Sequence, residues 1–191
     1  MVAQGFRLIL ASNSPRRKEL LAGIDVPFEV RIIDGIDESY PSDMPTKDIA
    51  GYISQKKALA YRATLSDDEL VITADTIVIL GQEVMGKPKD EAEARRMLRE
   101  LSGQTHQVIT GVTLTTTQRQ MSFSVETDVT FKQLTDEEID YYITTYHPLD
   151  KAGAYGIQEW IGHIGVKRID GCFYNVMGLP VPRLYALLKT L

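Results

Sequence analysis

Ser12, Ser14, Arg16 and Arg17 crowd into the segment LILASNSPRRKELL, residues 8–21, and together they carry the chemistry of anion binding. The apolar run 6–11 predicts a buried strand. It stops at Ser12-Asn13-Ser14, residues that favour turns and helix caps. Pro15 then takes the place of a first helical residue, with Ser14 as N-cap. The two arginines fall in the first helical turn, where the backbone dipole is already positive. They destabilise the helix there unless an anion fills the site. Free backbone N–H groups, serine hydroxyls and guanidiniums at a helix N-terminus suit phosphate. The same residues also fit a plain strand–turn–helix with two solvated arginines.

Asp75 is the second signal. It interrupts the apolar segment LVITADTIVIL, residues 70–80, with Thr76 beside it offering a hydroxyl. A carboxylate in such a run is expensive to bury unless it is paired, hydrogen-bonded or bound to a metal. Otherwise it marks a bulge or strand end facing water. Glu38 lies in the loop Asp34-Gly35-Ile36-Asp37-Glu38, which alone reads as solvated. With Asp75 it completes an oxygen-ligand site of the kind Mg²⁺ uses, one or two carboxylates plus phosphate oxygens and water. Lys87, held between Gly86 and Pro88, and Lys57, on a helix, are either phosphate-facing charges or solvated ones. In residues 150–158, DKAGAYGIQ, small residues and two glycines surround one tyrosine, so that backbone can approach a ligand closely. Gln158 ends the segment with an amide that can accept and donate side by side, as reading a nucleobase edge requires. A tight structural turn is the other reading. The chain has no GxxxxGK[ST] phosphate loop and no GxGxxG.

These residues need an alternating framework to bring them together. The pattern predicts strands over 6–11 and 27–33, and a loop over 34–45. A helix follows over 46–64, with an apolar stripe of Ile49, Ile53, Ala60 and Tyr61, and Lys56 and Lys57 on other faces. Residues 69–80 read as a strand pair or one long interrupted strand. Residues 90–101 read as a helix ended by Ser102-Gly103, and 107–117 with 121–131 as an antiparallel hairpin. A helix over 135–146 opens with acidic residues, as the dipole prefers; a strand over 164–169 and a helix over 179–189 close the chain. Strands and helices with a central hairpin imply an α/β fold with a mixed central sheet flanked by helices.

The totals exclude several classes. A chain of 191 residues holds one sizeable core, or two small lobes sharing a sheet around a central cleft. Its 43% hydrophobic and 25% charged residues are ordinary for a soluble globular protein. A net charge of −5 and a pI of 5.3 argue against a nucleic-acid polymer or an anionic membrane as partner, though not against a nucleotide met by a local basic pocket. One cysteine, Cys172, rules out an intrachain disulfide, and His106, His147 and His163 are too scattered for a histidine metal motif. No signal peptide is expected, no apolar run reaches the ~18 residues of a membrane span, and a cytoplasmic location follows as the expectation.

Taken in order, the stretches LILASNSPRRKELL, GIDE, SQKKA, ITADTIV, GKPKDEAEARRMLRELSGQTHQVITGV, DVTFKQLTDEEI, PLDKAGAYGIQ and IDGCFYNVMGLP run over nearly the whole chain. Together they resemble the Maf family of nucleoside triphosphate pyrophosphatases. The resemblance implies a single domain over 1–191 with a fold akin to the inosine-triphosphate pyrophosphatases. It also implies a divalent cation, Mg²⁺ or Mn²⁺, and cleavage of the α–β phosphoanhydride to a nucleoside monophosphate and pyrophosphate. The catalytic aspartate falls on Asp75, with Glu38 and Lys87 as catalytic helpers and Glu38 with Asp75 as metal ligands. Substrate binding falls on Ser12, Ser14, Arg16, Arg17, Lys57, Thr76 and Gln158, of which Arg16, Thr76 and Gln158 match the substrate-selecting positions. DKAGAYGIQ resembles the dTTP/UTP branch rather than the 7-methyl-GTP branch. Family members are often dimers, which makes a homodimer the assembly to look for. Two other readings compete: a nucleotide-sensing regulator of cell division that binds without turnover, and a pyrophosphatase for a modified purine triphosphate. The carboxylate Asp75 disfavours the first, since a binder gains nothing by placing it near a tri-anion. Gln158 disfavours the second.

Overall fold

β1 (Arg7–Leu10) is buried at Leu8, Ile9 and Leu10 in succession, so both of its faces are covered. Its in-sheet neighbours are parallel, β2 (Phe28–Val30) on one side and β3 (Glu69–Leu80) on the other, in register Leu8↔Phe28 and Leu8↔Leu70, and strands in such parallel arrangements are covered on both faces. The computed structural model describes residue 3 and residues 5–191. Among these, seven strands form one mixed sheet in the order β2-β1-β3-β5-β6-β7, with β4 (Glu83–Met85) antiparallel to β3. β5 (Thr105–Thr115) and β6 (Gln120–Phe131) make the expected hairpin, whose turn is closed by the Thr116 N–H donating to the Arg119 carbonyl at 2.9 Å. β7 (Val166–Asp170) is antiparallel to β6.

The chain divides into two compact units. The first comprises the residues up to Asp75 with 110–125 and 178–191. It holds α1 (Pro15–Ala22), α2 (Thr46–Arg62) and α7 (Val181–Leu188). One part of its core is Ile9, Val71 and Tyr61. The second comprises 76–109 and 126–177, with α3 (Glu91–Leu101), α4 (Asp136–Tyr146), α5 (Trp160–Gly165) and α6 (Phe173–Met177). Its core joins Met97, Leu98 and Leu101 of α3 to Phe131, Tyr142, Tyr155 and Ile161. α3 is a strongly amphipathic helix capped by Asp90, whose side chain accepts from the Glu93 N–H. α4 opens on a full capping box between Thr135 and Glu138. Among the described residues no helix is long and apolar enough to cross a membrane.

The structure corrects four expectations. Residues 69–80 are one unbroken strand, not a pair or an interrupted strand. The strand expected from residue 164 begins at Val166, because 160–165 form α5. The inner face of α2 carries Ile49, Ala50, Ile53, Ser54, Ala58 and Tyr61, while Ala60 is only half-buried. Lys57 lies on that inner side, with a side chain 14% exposed, and not on an outer face. β4, α5 and α6, at three to six residues each, are too short to leave a periodic signal in the sequence.

Candidate active site

Asp75 stands in β3 where the buried run gives way to two half-buried positions, 75 and 76. Two residues before it, Thr73 is fully buried and donates its hydroxyl to the Ser54 carbonyl of α2 at 2.7 Å. Ser54 and Thr113 share a further hydroxyl–hydroxyl bond of 2.8 Å. These bonds fix α2 against the sheet with Lys57, one turn past Ser54, above Asp75. The Lys57 ammonium donates to Asp75 Oδ1 at 2.8 Å and forms an ion pair with Glu38 Oε1 at 3.0 Å. Lys57 thus draws two carboxylates from distant parts of the sequence onto one cation.

The loop that brings Glu38 is pinned by α2 as well. Tyr61 donates its hydroxyl to the Arg31 carbonyl at 3.0 Å and accepts the Ile33 N–H at 2.9 Å. Further along, Asp37 accepts from the backbone and hydroxyl of Ser39, and the Lys56 ammonium donates to Asp37 Oδ2 at 2.6 Å and to the Ser39 carbonyl at 2.9 Å. Lys56 and Ser39 hold the Asp37 carboxyl well below the usual carboxylate range. Adjacent lysines therefore divide the work: Lys56 ties down the loop and Lys57 takes its carboxylate. Sequence reasoning missed Lys56 and Tyr61. The available signal was the pairing of a double lysine in α2 with a double acid at 37–38.

The N-terminal cap forms as the sequence predicts. Ser14 Oγ accepts the Arg17 N–H at 3.4 Å, and buried Ser12 accepts the Ser14 N–H at 3.2 Å. Arg17 does not lie out in solvent. Its Nε donates to the Gly178 carbonyl at 2.8 Å and its Nη1 to the Ala74 carbonyl at 2.9 Å. Carbonyl dipoles therefore meet part of the charge that the helix N-terminus disfavours. Burial pushes the Arg17 guanidinium down from its ordinary value and Asp75 pulls it back up, with smaller effects from Arg16 (down) and Glu38 (up). The grip on Ala74 fixes the backbone immediately before Asp75. Arg16 is half-buried in the same turn.

Thr76, Lys87 and Gln158 belong to the second unit. Thr76 follows Asp75 directly in β3. Lys87 is exposed beyond β4, and the Gly86 carbonyl beside it accepts the Gly153 N–H at 3.1 Å, which ties the GKPK turn to the DKAGAYGIQ segment. Gly153 has φ +68°, and a Cβ there would lie 3.1 Å from the Val78 methyls, a tight fit; Ala154 follows in the same left-handed region at φ +58°. Gln158 is half-buried, and its Oε1 is a buried acceptor with no hydrogen-bond partner among the described residues.

The donor set at Asp75 and Glu38 is all hard oxygen. Among the described residues no third His, Cys, Asp or Glu gathers with them. Both carboxylates meet on the Lys57 ammonium, and their oxygens are the donor type that a Mg²⁺-type ion takes beside phosphate and water.

A family model described as Maf-like protein matches residues 7–191. The chain is 61% identical over 186 residues to the dTTP/UTP pyrophosphatase of Phocaeicola vulgatus, covering 97% of this chain and 96% of that one. It is 57% identical to the dTTP/UTP pyrophosphatase of Bacteroides thetaiotaomicron, again over 97% and 96%. Among solved structures, a nucleoside-triphosphatase / dITP/XTP pyrophosphatase of Mycobacterium abscessus aligns over 68% of this chain and 76% of that one, with a TM-score of 0.39 and 12% identity. With a family match over nearly its whole length and relatives this similar, the chain belongs to the Maf family.

Proposed function

We propose that this protein hydrolyses dTTP and UTP at the α–β bond, releasing the monophosphate and pyrophosphate with the help of a divalent cation. The observation that carries the reading is the Glu38–Lys57–Asp75 constellation, two carboxylates and an ammonium drawn together from the loop before α2, α2 and β3. The relatives named dTTP/UTP pyrophosphatase support the bond cleaved and the base. Asp75 and Glu38 would hold Mg²⁺ or Mn²⁺. When bound, that ion supplies charge neutralisation for the phosphates and polarises an attacking water. Asp75 orients that water and takes up its proton. Lys57, Arg16 and Lys87 meet the negative charge that builds on the phosphoryl oxygens. Ser12, Ser14 and the first turn of α1 seat phosphate. Thr76 adds a hydroxyl next to Asp75. Gln158 reads the carbonyl–NH–carbonyl edge that uracil and thymine share, its unpartnered Oε1 accepting from N3–H.

The test is product analysis on a nucleotide panel with Mg²⁺ and with Mn²⁺. UTP should give UMP and pyrophosphate; UDP with orthophosphate as first products overturns the reading. UTP and dTTP should fall within about tenfold of each other, because a thymine methyl adds only about 1 kcal/mol. CTP and the purine triphosphates should be worse by about tenfold or more, since a mispaired buried polar edge costs about 1–3 kcal/mol. Binding of nucleotides without turnover, or a preference for a modified purine, would also overturn it.

A further inference from the structure

Gln158 lies in a stretch of chain fastened on both sides by one tyrosine. α4 buries Ile139, Tyr142 and Ile143 on one stripe, and Tyr142 is fully buried. Its hydroxyl accepts the Gly156 N–H at 2.9 Å and donates to the Glu159 carboxylate at Oε2. These partners stand two residues before Gln158 and one after it. Burial and the neighbouring Glu159 push the Tyr142 phenol up, so it keeps its proton and remains a donor. The other Glu159 oxygen, Oε1, pairs with the Lys151 ammonium at 3.2 Å, and Lys151 also donates to Asp150 Oδ1 at 2.7 Å. The Lys151 side chain is 9% exposed. A buried ammonium is tolerated only where carboxylates meet it.

Backbone contacts close the same segment. The Glu159 N–H donates to the Gly156 carbonyl at 3.0 Å, and the Glu159 carbonyl accepts the Gly162 N–H at 2.9 Å. A Cβ on Gly156 would lie 2.9 Å from the Glu159 carboxyl carbon and 3.1 Å from Lys151 Cε, so glycine lets these two side chains pack directly over the backbone. Tyr142, Lys151 and Glu159 thereby each have partners. Gln158 is different: its Oε1 is buried and has no partner among the described residues. A polar group held in place by a satisfied network, yet itself left unsatisfied, is set up to meet a ligand.

We propose that Tyr142, Glu159 and Lys151 are positioning residues that fix the Gln158 amide in the orientation that selects the pyrimidine base. The proposal rests on the reading of Gln158 as the base-recognising residue. None of the three need touch the nucleotide. Their effect passes through the angle of one amide, which decides whether its oxygen meets an N3–H and its NH₂ a carbonyl. Loosening them should therefore harm UTP and dTTP more than CTP, which has no N3 proton to lose. General damage to the fold would instead lower all substrates in equal proportion.

The experiment compares kcat and KM for UTP and CTP in wild type, Tyr142→Phe, Glu159→Ala, Glu159→Gln and Gln158→Ala, with folding followed by the fluorescence of Trp160. Tyr142→Phe and Glu159→Ala should each cut the UTP-to-CTP ratio of kcat/KM by about tenfold, with most of the change in the KM for UTP. Glu159→Gln keeps an acceptor for the Tyr142 hydroxyl and should lose less than Glu159→Ala. Adding Tyr142→Phe to Gln158→Ala should lower the ratio no further, since the amide being aimed is gone. Should Glu159→Ala not fold, Tyr142→Phe, which removes a single oxygen, decides the matter alone. A ratio lowered by Gln158→Ala but unchanged in Tyr142→Phe overturns the positioning role and leaves the base reading standing. A ratio unchanged in Gln158→Ala overturns the base reading and this proposal with it.

Discussion

Asp75 and Glu38 are the two carboxylates that Lys57 holds at 2.8 and 3.0 Å, and each meets that ammonium through one oxygen. Replacing Asp75 by Asn keeps the size and an Oδ1 acceptor for Lys57, but removes the base and weakens the metal ligand of the proposed reaction. Turnover of UTP by Asp75→Asn should drop at least about 10²-fold, the scale of losing an acid–base group. Thermal unfolding should stay near that of wild type. A folded variant with most of its activity would show that Asp75 serves only to pair Lys57. The sequence names Asp75 because a carboxylate in an apolar strand has few innocent explanations. It places Lys57 wrongly because a charge is assigned to the outer face by type. The spacing Ser54, Lys57, Ala58, Tyr61 follows i, i+3, i+4, i+7 and puts Lys57 among the buried residues. Arg17 was legible as an anomaly, a cation at the positive end of a helix. Its partners, the carbonyls of Ala74 and Gly178, were beyond reach because one lies 57 and the other 161 residues away.

α2 is the element on which the site depends, since it carries Lys57, pins the Glu38 loop through Lys56 and Tyr61, and anchors to β3 through Ser54. Its closeness to the sheet is set by Gly111 of β5. A Cβ at Gly111 would fall on the backbone of Ala50 and Gly51, where no rotamer change can relieve it. Gly111→Ala should therefore push α2 outward. The expected loss is about 1–3 kcal/mol of stability, the range for overpacking a filled interior, seen as a Tm lower by about 2–4 °C for each kcal/mol. Turnover should fall as well, because Lys57 moves with its helix. An unchanged Tm would mean that α2 sits less tightly than these contacts require. Long periodic elements such as α2, α3 and the β5–β6 hairpin were legible in the sequence, because burial on one face writes a repeat into the chain. The tie between α4 and the Gln158 segment was not, because Tyr142, Lys151 and Glu159 match no spacing rule and meet only in the folded protein.

At the scale of the whole molecule, a chain of net charge −5 must receive a polyanion, so its cations have to be local and its stability has to survive where it works. One buried group makes that stability depend on pH. His106 of β5 is 1% exposed, packs edge-on against Phe131 and Tyr155, and shares a 2.7 Å hydrogen bond from Nε2 to the Tyr155 hydroxyl. Burial pushes the Tyr155 phenol up, so Tyr155 keeps its proton, and the tautomer of the His106 ring sets which of the two donates. Burial likewise lowers His106 from 6.5 to about 4. The unfolded chain thus binds a proton at this site between those values while the folded protein does not. The contribution of a neutral His106 is complete above pH 6.5 and is lost as pH falls toward 4, to a total of about 3 kcal/mol. Urea denaturation from pH 7 to pH 5, followed by the fluorescence of Trp160, should show wild-type stability falling with pH more steeply than that of His106→Phe. The variant starts less stable, because the Tyr155 hydroxyl loses its hydrogen-bond partner, so the slopes carry the comparison and not the absolute values. Carboxylates such as Glu69, which Arg31 holds down to about 2, lose stability in both proteins only as pH falls below their ordinary range. They cannot imitate a difference that opens between pH 7 and pH 5. Parallel slopes over that interval would mean that His106 takes up its proton without unfolding the protein around it.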